Sequence, residues 1–346
     1  MANKKVLFFM GASAVVLSLF LLVFSACSST GDAAVDIASF TNRSLMNAVT
    51  RITDDGLPKS HSAISPDGTR LLYNEVRANN QTDIMMLRNV NSSAKTPLVT
   101  TGNAFAPSWY EDNVRFLYSF REGNRSRIVR SSSAGGGRTN ITGNPVGMWD
   151  TYTTIKNGVI LMATESNGNW QIYSMRENGS EVTSLTNGFD PAWHPYEPKF
   201  LFVRHPPVGT AGNTASRLWE MDLRTMQETM LHETPPYNIR RPQYTADGRH
   251  IVFQRGSEQI VSGAEVTMIK SIGKKITKVF STTSTESRWQ LFFITSEGAN
   301  ESVLTEGNVD CMYPSLDSQN NLYFISNASG PNSNKTEIYR ARLSFE

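Results

Sequence analysis

His61, His194, His205, His232 and His250 are the only imidazoles in the chain, and no two of them fall at the close spacing of a metal-binding pair. No G-x-S-x-G nucleophile elbow occurs, and Ala134-Gly135-Gly136-Gly137 is followed by neither the lysine nor the helix of a phosphate cradle. The residue types therefore call for no metal, no cofactor and no covalent catalysis. What remains is chemistry of recognition. His61, Asp190 and Asp310 fall near the junctions between repeated segments, and Arg240-Arg241 is a doublet of guanidinium groups. In "MIKSIGKKITKVF" the cations Lys270, Lys274, Lys275 and Lys278 stand without an acid. That stretch reads as a basic hairpin, either merely solvated or in contact with an acidic partner or anionic lipid.

One residue has a more definite chemistry. Lys4 and Lys5 precede an apolar run over 6–24, which ends in Ser25-Ala26-Cys27. A basic start, an apolar middle and small residues before a cut make a secretory signal. A cysteine directly after Ser-Ala resembles a bacterial lipobox, whose thiol receives the lipid and whose residue becomes the mature N-terminus. The alternative is a retained membrane helix, since the run approaches the roughly 20 residues that span a bilayer. The lipobox reading divides the chain into a leader over 1–26, a flexible tether over 27–43 and a folded domain over 44–346. It leaves Cys311, the only other cysteine, without an intramolecular partner, as a buried small hydrophobe. Loss of Lys4 and Lys5 with the leader brings the 33 basic residues level with the 31 acidic ones, which removes any bulk attraction to nucleic acid.

The elements that must position these residues announce themselves by repetition. "ISPDGTRLLY" begins at Ile64 and "YTADGRHIVF" at Tyr244. Aligning on the residue two after a recurrent proline gives Trp109, Trp193, Tyr244 and Leu316, with Ile64 and Trp149 as anchors lacking the proline. The intervals are roughly 40–50 residues apart from one near 70, where 256–287 reads as an insertion too short for a further four-stranded unit. At such a period Trp109, Trp149 and Trp193 are core residues. Each anchor precedes a turn and a short apolar run ("RLLY", "RFLYSF", "VILMA", "FLFV", "IVF", "LYFI") that reads as a strand covered on both faces. Third and fourth strands follow, except that the sixth unit ends after three. The segment 48–56, "AVTRITDDG", has the ending of a fourth strand and supplies the missing one. The expected fold is all-β: a six-bladed β-propeller of four-stranded antiparallel blades, closed by an N-terminal strand that completes the last blade.

These anchors, with "L-T-x-G" closing the preceding strand, resemble the WD40-like repeats of the TolB β-propeller family over about 44–346. The resemblance implies an extracytoplasmic envelope protein, here without the α/β domain that precedes the propeller in TolB. It implies partners among envelope proteins, peptidoglycan-associated lipoprotein being the family's own example. The sequence reading is thus a lipid-anchored, monomeric binding or scaffold module on the periplasmic side of the outer membrane. The long connections 204–217, 256–287 and 326–336 lie on the inter-blade-loop face, and this reading makes them its working surface. The rivals are a carbohydrate- or peptide-processing enzyme working in the central channel, and a peptidase propeller that has lost its hydrolase domain.

Overall fold

The computed structural model describes residues 35–77, 79–143, 146–206, 215–256, 288–330 and 335–345. A single helical turn, α1 (Ile37–Phe40), precedes β1 (Met46–Arg51). Four-stranded groups then follow in order. The first is β2 (Lys59–Ile64), β3 (Leu71–Val76), β4 (Thr82–Leu87) and β5 (Lys95–Val99). The second is β6 (Ala104–Trp109), β7 (Arg115–Glu122), β8 (Arg125–Ser132) and the two-residue β9 (Thr139–Asn140). The third is β10 (Trp149–Lys156), β11 (Val159–Ser166), β12 (Asn169–Arg176) and β13 (Thr183–Asn187). The fourth is β14 (Phe189–Trp193), β15 (Lys199–Arg204), β16 (Arg217–Asp222) and β17 (Gln227–His232). The fifth is β18 (Asn238–Tyr244), β19 (His250–Gly256), β20 (Gln290–Thr295) and β21 (Ser302–Val303). The last has three strands, β22 (Cys311–Leu316), β23 (Asn321–Ser326) and β24 (Glu337–Leu343), and β1 pairs antiparallel with β24 to make a fourth. The second and third groups join into one sheet through a single parallel bridge between Ser126 and Trp149. First strands neighbour one another in the order β2, β6, β10, β14, β18, β22, and β22 neighbours β2 in turn.

The apolar runs are continuous because each sheet is packed on both faces. Leu71, Leu72 and Tyr73 are all fully buried, but on opposite sides. Leu72 packs with Trp109, Phe116 and Tyr118 of the second group, whereas Leu71 and Tyr73 pack with Tyr323, Ile325 and Ile338 of the last. The repeated turns are superimposable in their bonding. Asp67 Oδ1 accepts from the Ser65 hydroxyl at 2.6 Å and the Thr69 amide at 3.0 Å, and Asp247 Oδ1 accepts from Thr245 and Arg249 at 2.6 and 3.1 Å. Gly68 and Gly248 both sit at φ +71°, the left-handed conformation a Cβ disfavours.

Two expectations need correction. Trp149 is not the third anchor. It opens β10, whereas Ile155 pairs with Ile160 as Trp109 pairs with Phe116 and Trp193 with Phe200. The proline that marks the register in four of the other first strands is absent from this one, where Thr153 takes its place. Residues 35–43, expected as tether, are packed. Phe40 is buried against Tyr339, Thr41 bridges Thr305, and the Val35 amide donates to the Ala328 carbonyl at 2.8 Å. The segment's backbone bonds to residues 304–306, just after β21 of the fifth group, through the Asn42 amide to the Leu304 carbonyl at 2.9 Å and the Glu306 amide to the Phe40 carbonyl at 3.0 Å. Cys311 is buried as expected, and burial pushes its thiol up to about 12.

Candidate functional site

Each first strand carries a β-bulge at the same place. The pairing with the second strand slips between Ser60 and Ala63, Phe105 and Ser108, Thr151 and Thr154, Phe189 and Ala192, Arg240 and Gln243, and Met312 and Ser315. The first bulged residue is left-handed in all six: His61, Ala106, Tyr152, Asp190, Arg241 and Tyr313 have φ between 50° and 54°. Non-glycine residues hold this conformation only where surrounding structure imposes it. The second bulged residue is Pro107, Pro191, Pro242 or Pro314 in four units and Ser62 or Thr153 in the others. Proline is tolerated there because a bulge leaves one ladder position unpaired. The bulge turns its first side chain inward, and all six residues line one central cavity of about 460 Å³.

The floor of that cavity is a compact polar and aromatic cluster. Asp190, with a side chain only 1% exposed, accepts at Oδ2 from Arg240 Nε at 2.9 Å and from the Arg241 amide at 3.0 Å. The Arg241 guanidinium lies 3.9 Å over the Tyr152 ring and 5.5 Å from that of Tyr313. His61 packs against Tyr313, with ring centroids 4.5 Å apart, and stacks toward Tyr152 at 6.2 Å. Burial would raise the Asp190 carboxyl, but the charges of Arg240 and Arg241 outweigh it and hold the group below the usual carboxylate range. Burial, reinforced by the Arg241 charge, drops the His61 imidazolium well below its ordinary range, so the ring is neutral at physiological pH.

Solved structures with the same arrangement of strands are numerous. A putative TolB from Agrobacterium tumefaciens aligns over 86% of this chain and 97% of its own, with a TM-score of 0.58 and 14% identity. The fold is that of a TolB-like β-propeller. TolB from Acinetobacter baumannii aligns over 81% of this chain and 65% of its own (TM-score 0.53, 14% identity). An oligogalacturonate lyase in complex with manganese aligns over 91% and 96% (TM-score 0.53, 12% identity). At such identities the likeness concerns the fold alone. No protein-family model matches the chain, and no curated protein sequence does.

The propeller brings together some of the residues singled out in the sequence and separates others. His61, Asp190 and Arg241 meet in the cavity, on bulges within first strands rather than in the inter-blade loops expected for His61 and Asp190. Arg240 touches the same carboxylate while its guanidinium stacks 4.5 Å over Phe189. Asp310 lies apart, in the connection before β22, where Oδ1 accepts from the Trp289 amide at 2.9 Å and Oδ2 pairs with Arg288 at 3.0 Å. It fixes a loop. Cys27, Lys270, Lys274, Lys275 and Lys278 lie outside the described residues. Tyr152 and Tyr313 were missed, although a signal for one exists. The residue before the repeat's proline faces the channel, which marks Tyr313 alongside Ala106, Asp190 and Arg241. Tyr152 has no such proline after it.

The cavity runs from the bulges to the turns between first and second strands, where Pro66, Pro195, Ala246 and Ser318 line it. This is the short-turn side of the propeller; the long connections that sequence favoured as the working surface lie largely outside the described residues. Among the described residues, no group of three His, Cys, Asp or Glu could hold a metal ion. No helix among them is long and apolar enough to cross a membrane.

Proposed function

We propose that the protein is a lipid-anchored, six-bladed propeller of a bacterial envelope that binds a partner through its central cavity and performs no chemistry on it. The observation that carries this reading is the state of the cavity's titratable groups. Asp190 is committed to Arg240 and Arg241 in its ionised form, and the His61 ring meets the Ser60 hydroxyl at 3.0 Å rather than a carboxylate. General acid–base work needs groups poised to exchange protons near the working pH. A charge held ionised and an imidazole held neutral fit recognition better.

In this reading β1 closes the ring as the fourth strand of the sixth blade, and Cys27 carries the lipid on the periplasmic side of the outer membrane. Val35, the first described residue, lies beside Ala328 in the connection between β23 and β24. That connection lies on the face opposite the cavity mouth, so the cavity looks away from the anchoring leaflet, toward soluble or opposite-membrane partners. The resemblance to the TolB family, which implies an envelope protein that binds other envelope proteins, supports this assignment. The test is capture of envelope proteins from extract by the lipidated full chain, compared with Arg241→Ala. Loss of the captured protein with an unchanged circular dichroism spectrum is the expected result. Undiminished capture would place the binding surface elsewhere, and turnover of polysaccharide or peptide substrates by the pure protein would overturn the non-catalytic reading.

A further inference from the structure

We propose that the second group seats on anionic phospholipid headgroups through Arg121, Arg125, Arg127 and Arg138, on the face opposite the cavity mouth. The inference goes beyond the reading above and takes from it only which face looks toward the leaflet. Its starting point is the charge of one stretch. Residues 121–138 hold five arginines, no lysine and a single acid, Glu122. Pairing of Arg127 with Phe120 and of Arg125 with Glu122 puts these side chains on the side of the sheet that faces the first group. Arg138 joins them, its guanidinium 4.4 Å over the Phe120 ring. Glu122 is taken by Arg127, and Arg125 has no ion pair among the described residues. The neighbouring strands β4 and β5 contribute one acid, Asp83, which Arg77 Nε binds at 2.7 Å. Three guanidinium groups thus stand against one free-standing carboxylate. Arg121, on the other side, lies 5.2 Å over Trp149, with Glu165 opposite Trp149 in the ladder. Arg121, Arg125 and Arg138 are exposed.

The excess sits at one end of the group. At the short-turn end Arg115 is matched by Asp112 and Glu177, at 2.5 and 3.0 Å, and no charge is left over. The surplus gathers instead around the turn between β7 and β8. That turn is a second-to-third connection, as is the one between β23 and β24 where Val35 docks, and in a propeller such connections share a face. From Cys27 to Val35 the chain reaches at most about 28 Å, so a lipid on Cys27 keeps this face near the headgroups. Shape and chemistry select the ligand. Gly123, at the tip of the turn, has no neighbour within 4 Å of where a Cβ would stand, so the turn projects. A projecting patch cannot enclose a small anion, whereas a plane of phosphates meets it without enclosure. Guanidinium groups bind phosphate oxygens through two parallel N–H···O bonds, which an ammonium cannot do. Each basic residue held at an anionic bilayer is worth a roughly five-fold change in partition.

The full chain reconstituted in vesicles tests this, with a fluorophore on Asn124→Cys in the β7–β8 turn or on Asn178→Cys in the β12–β13 turn of the opposite face. Cys311 is buried and takes no label. A headgroup-quencher lipid is held at equal density in phosphatidylcholine vesicles and in vesicles with about one third phosphatidylglycerol. Quenching at 124 should be at least about three-fold greater in the anionic vesicles and fall to the neutral level near 1 M salt, where the screening length is about 3 Å. Quenching at 178 should stay low in both. Arg125→Gln, which breaks no ion pair, should remove part of the excess, and adding Arg121→Gln and Arg138→Gln should remove nearly all of it. Equal quenching at 124 in the two vesicles, stronger quenching at 178 than at 124, or an undiminished excess in the triple variant would each overturn the proposal. Co-flotation with the neutral vesicles reads the anchor separately. Protein that floats only with anionic vesicles, quenched at 124, rules out the lipid on Cys27 and upholds the arginine seat. Protein that floats with both, with no dependence of quenching on composition, upholds the anchor and rules out the seat.

Discussion

The Lys59 ammonium lies 3.1 Å from the Glu337 carboxylate, and the two side chains are 0% and 1% exposed. The pair joins the first strand of the first group to the third strand of the last, at the seam where the two ends of the chain meet. Lys59 Nζ also donates to the Leu57 and Thr336 carbonyls at 2.9 Å each, and Glu337 accepts from Thr53 and the Gly56 amide at 2.5 and 2.7 Å. A buried ion pair so fully bonded is costly to break from one side. Lys59→Met should destabilise the fold by about 3–5 kcal/mol, whereas adding Glu337→Leu should recover most of the loss. Chemical denaturation of the two variants checks this, and a single variant as stable as the parent would show that the seam does not hold the ring.

The same seam sets an acid limit. Burial opposes ionisation of Asp55, but hydrogen bonds from Lys59 and Lys95 outweigh it and lower the carboxyl from 3.8 to about 2. A carboxyl depressed by folding stabilises fully above its unfolded value and ceases to do so as pH falls through the folded one. Stability should therefore drop between about pH 4 and pH 2. Asp55→Asn should be less stable at neutral pH and show a shallower loss across that window. Melting temperatures measured along an acid series decide it.

Phe40 anchors the segment that links the residues after β21 to the last group. Phe40→Ala should cost about 3–5 kcal/mol and promote association. Light scattering during thermal unfolding reads the second effect. An unaltered melting temperature would mean that the segment only rests on the surface.

Register in the third group is open to a direct comparison. Ile155→Ala should be the more damaging change, by about 2–5 kcal/mol. Trp149→Ala removes a half-exposed ring stacked 5.2 Å from Arg121 and should cost less. The reverse order would restore Trp149 as the anchor.

For the lipid anchor, Cys27→Ser should abolish acyl labelling and release the protein from membranes into the soluble fraction. Label that persists in the variant would exclude the lipobox.

Much of this architecture was legible in one dimension because its determinants are local. Asp67-Gly68 and Asp247-Gly248 fix their turns through bonds spanning two residues, and runs such as Leu71-Leu72-Tyr73 declare strands covered on both sides. The pairing of β1 with β24 could be inferred because a three-stranded last unit leaves an edge that a matching N-terminal segment can fill. The cavity was not legible in the same way. His61, Tyr152, Asp190, Arg241 and Tyr313 are dispersed along the chain, and each alone is an ordinary polar or aromatic residue in a strand. Only the bulges turn them inward, and only the ring of first strands brings them to one axis. The direction in which the cavity opens, toward the turns between first and second strands, follows from strand polarity in three dimensions. Local hydrogen bonding and hydrophobic patterning are written in the sequence itself. The convergence of distant residues on an axis depends on how many units pack and at what register, which tertiary contacts decide.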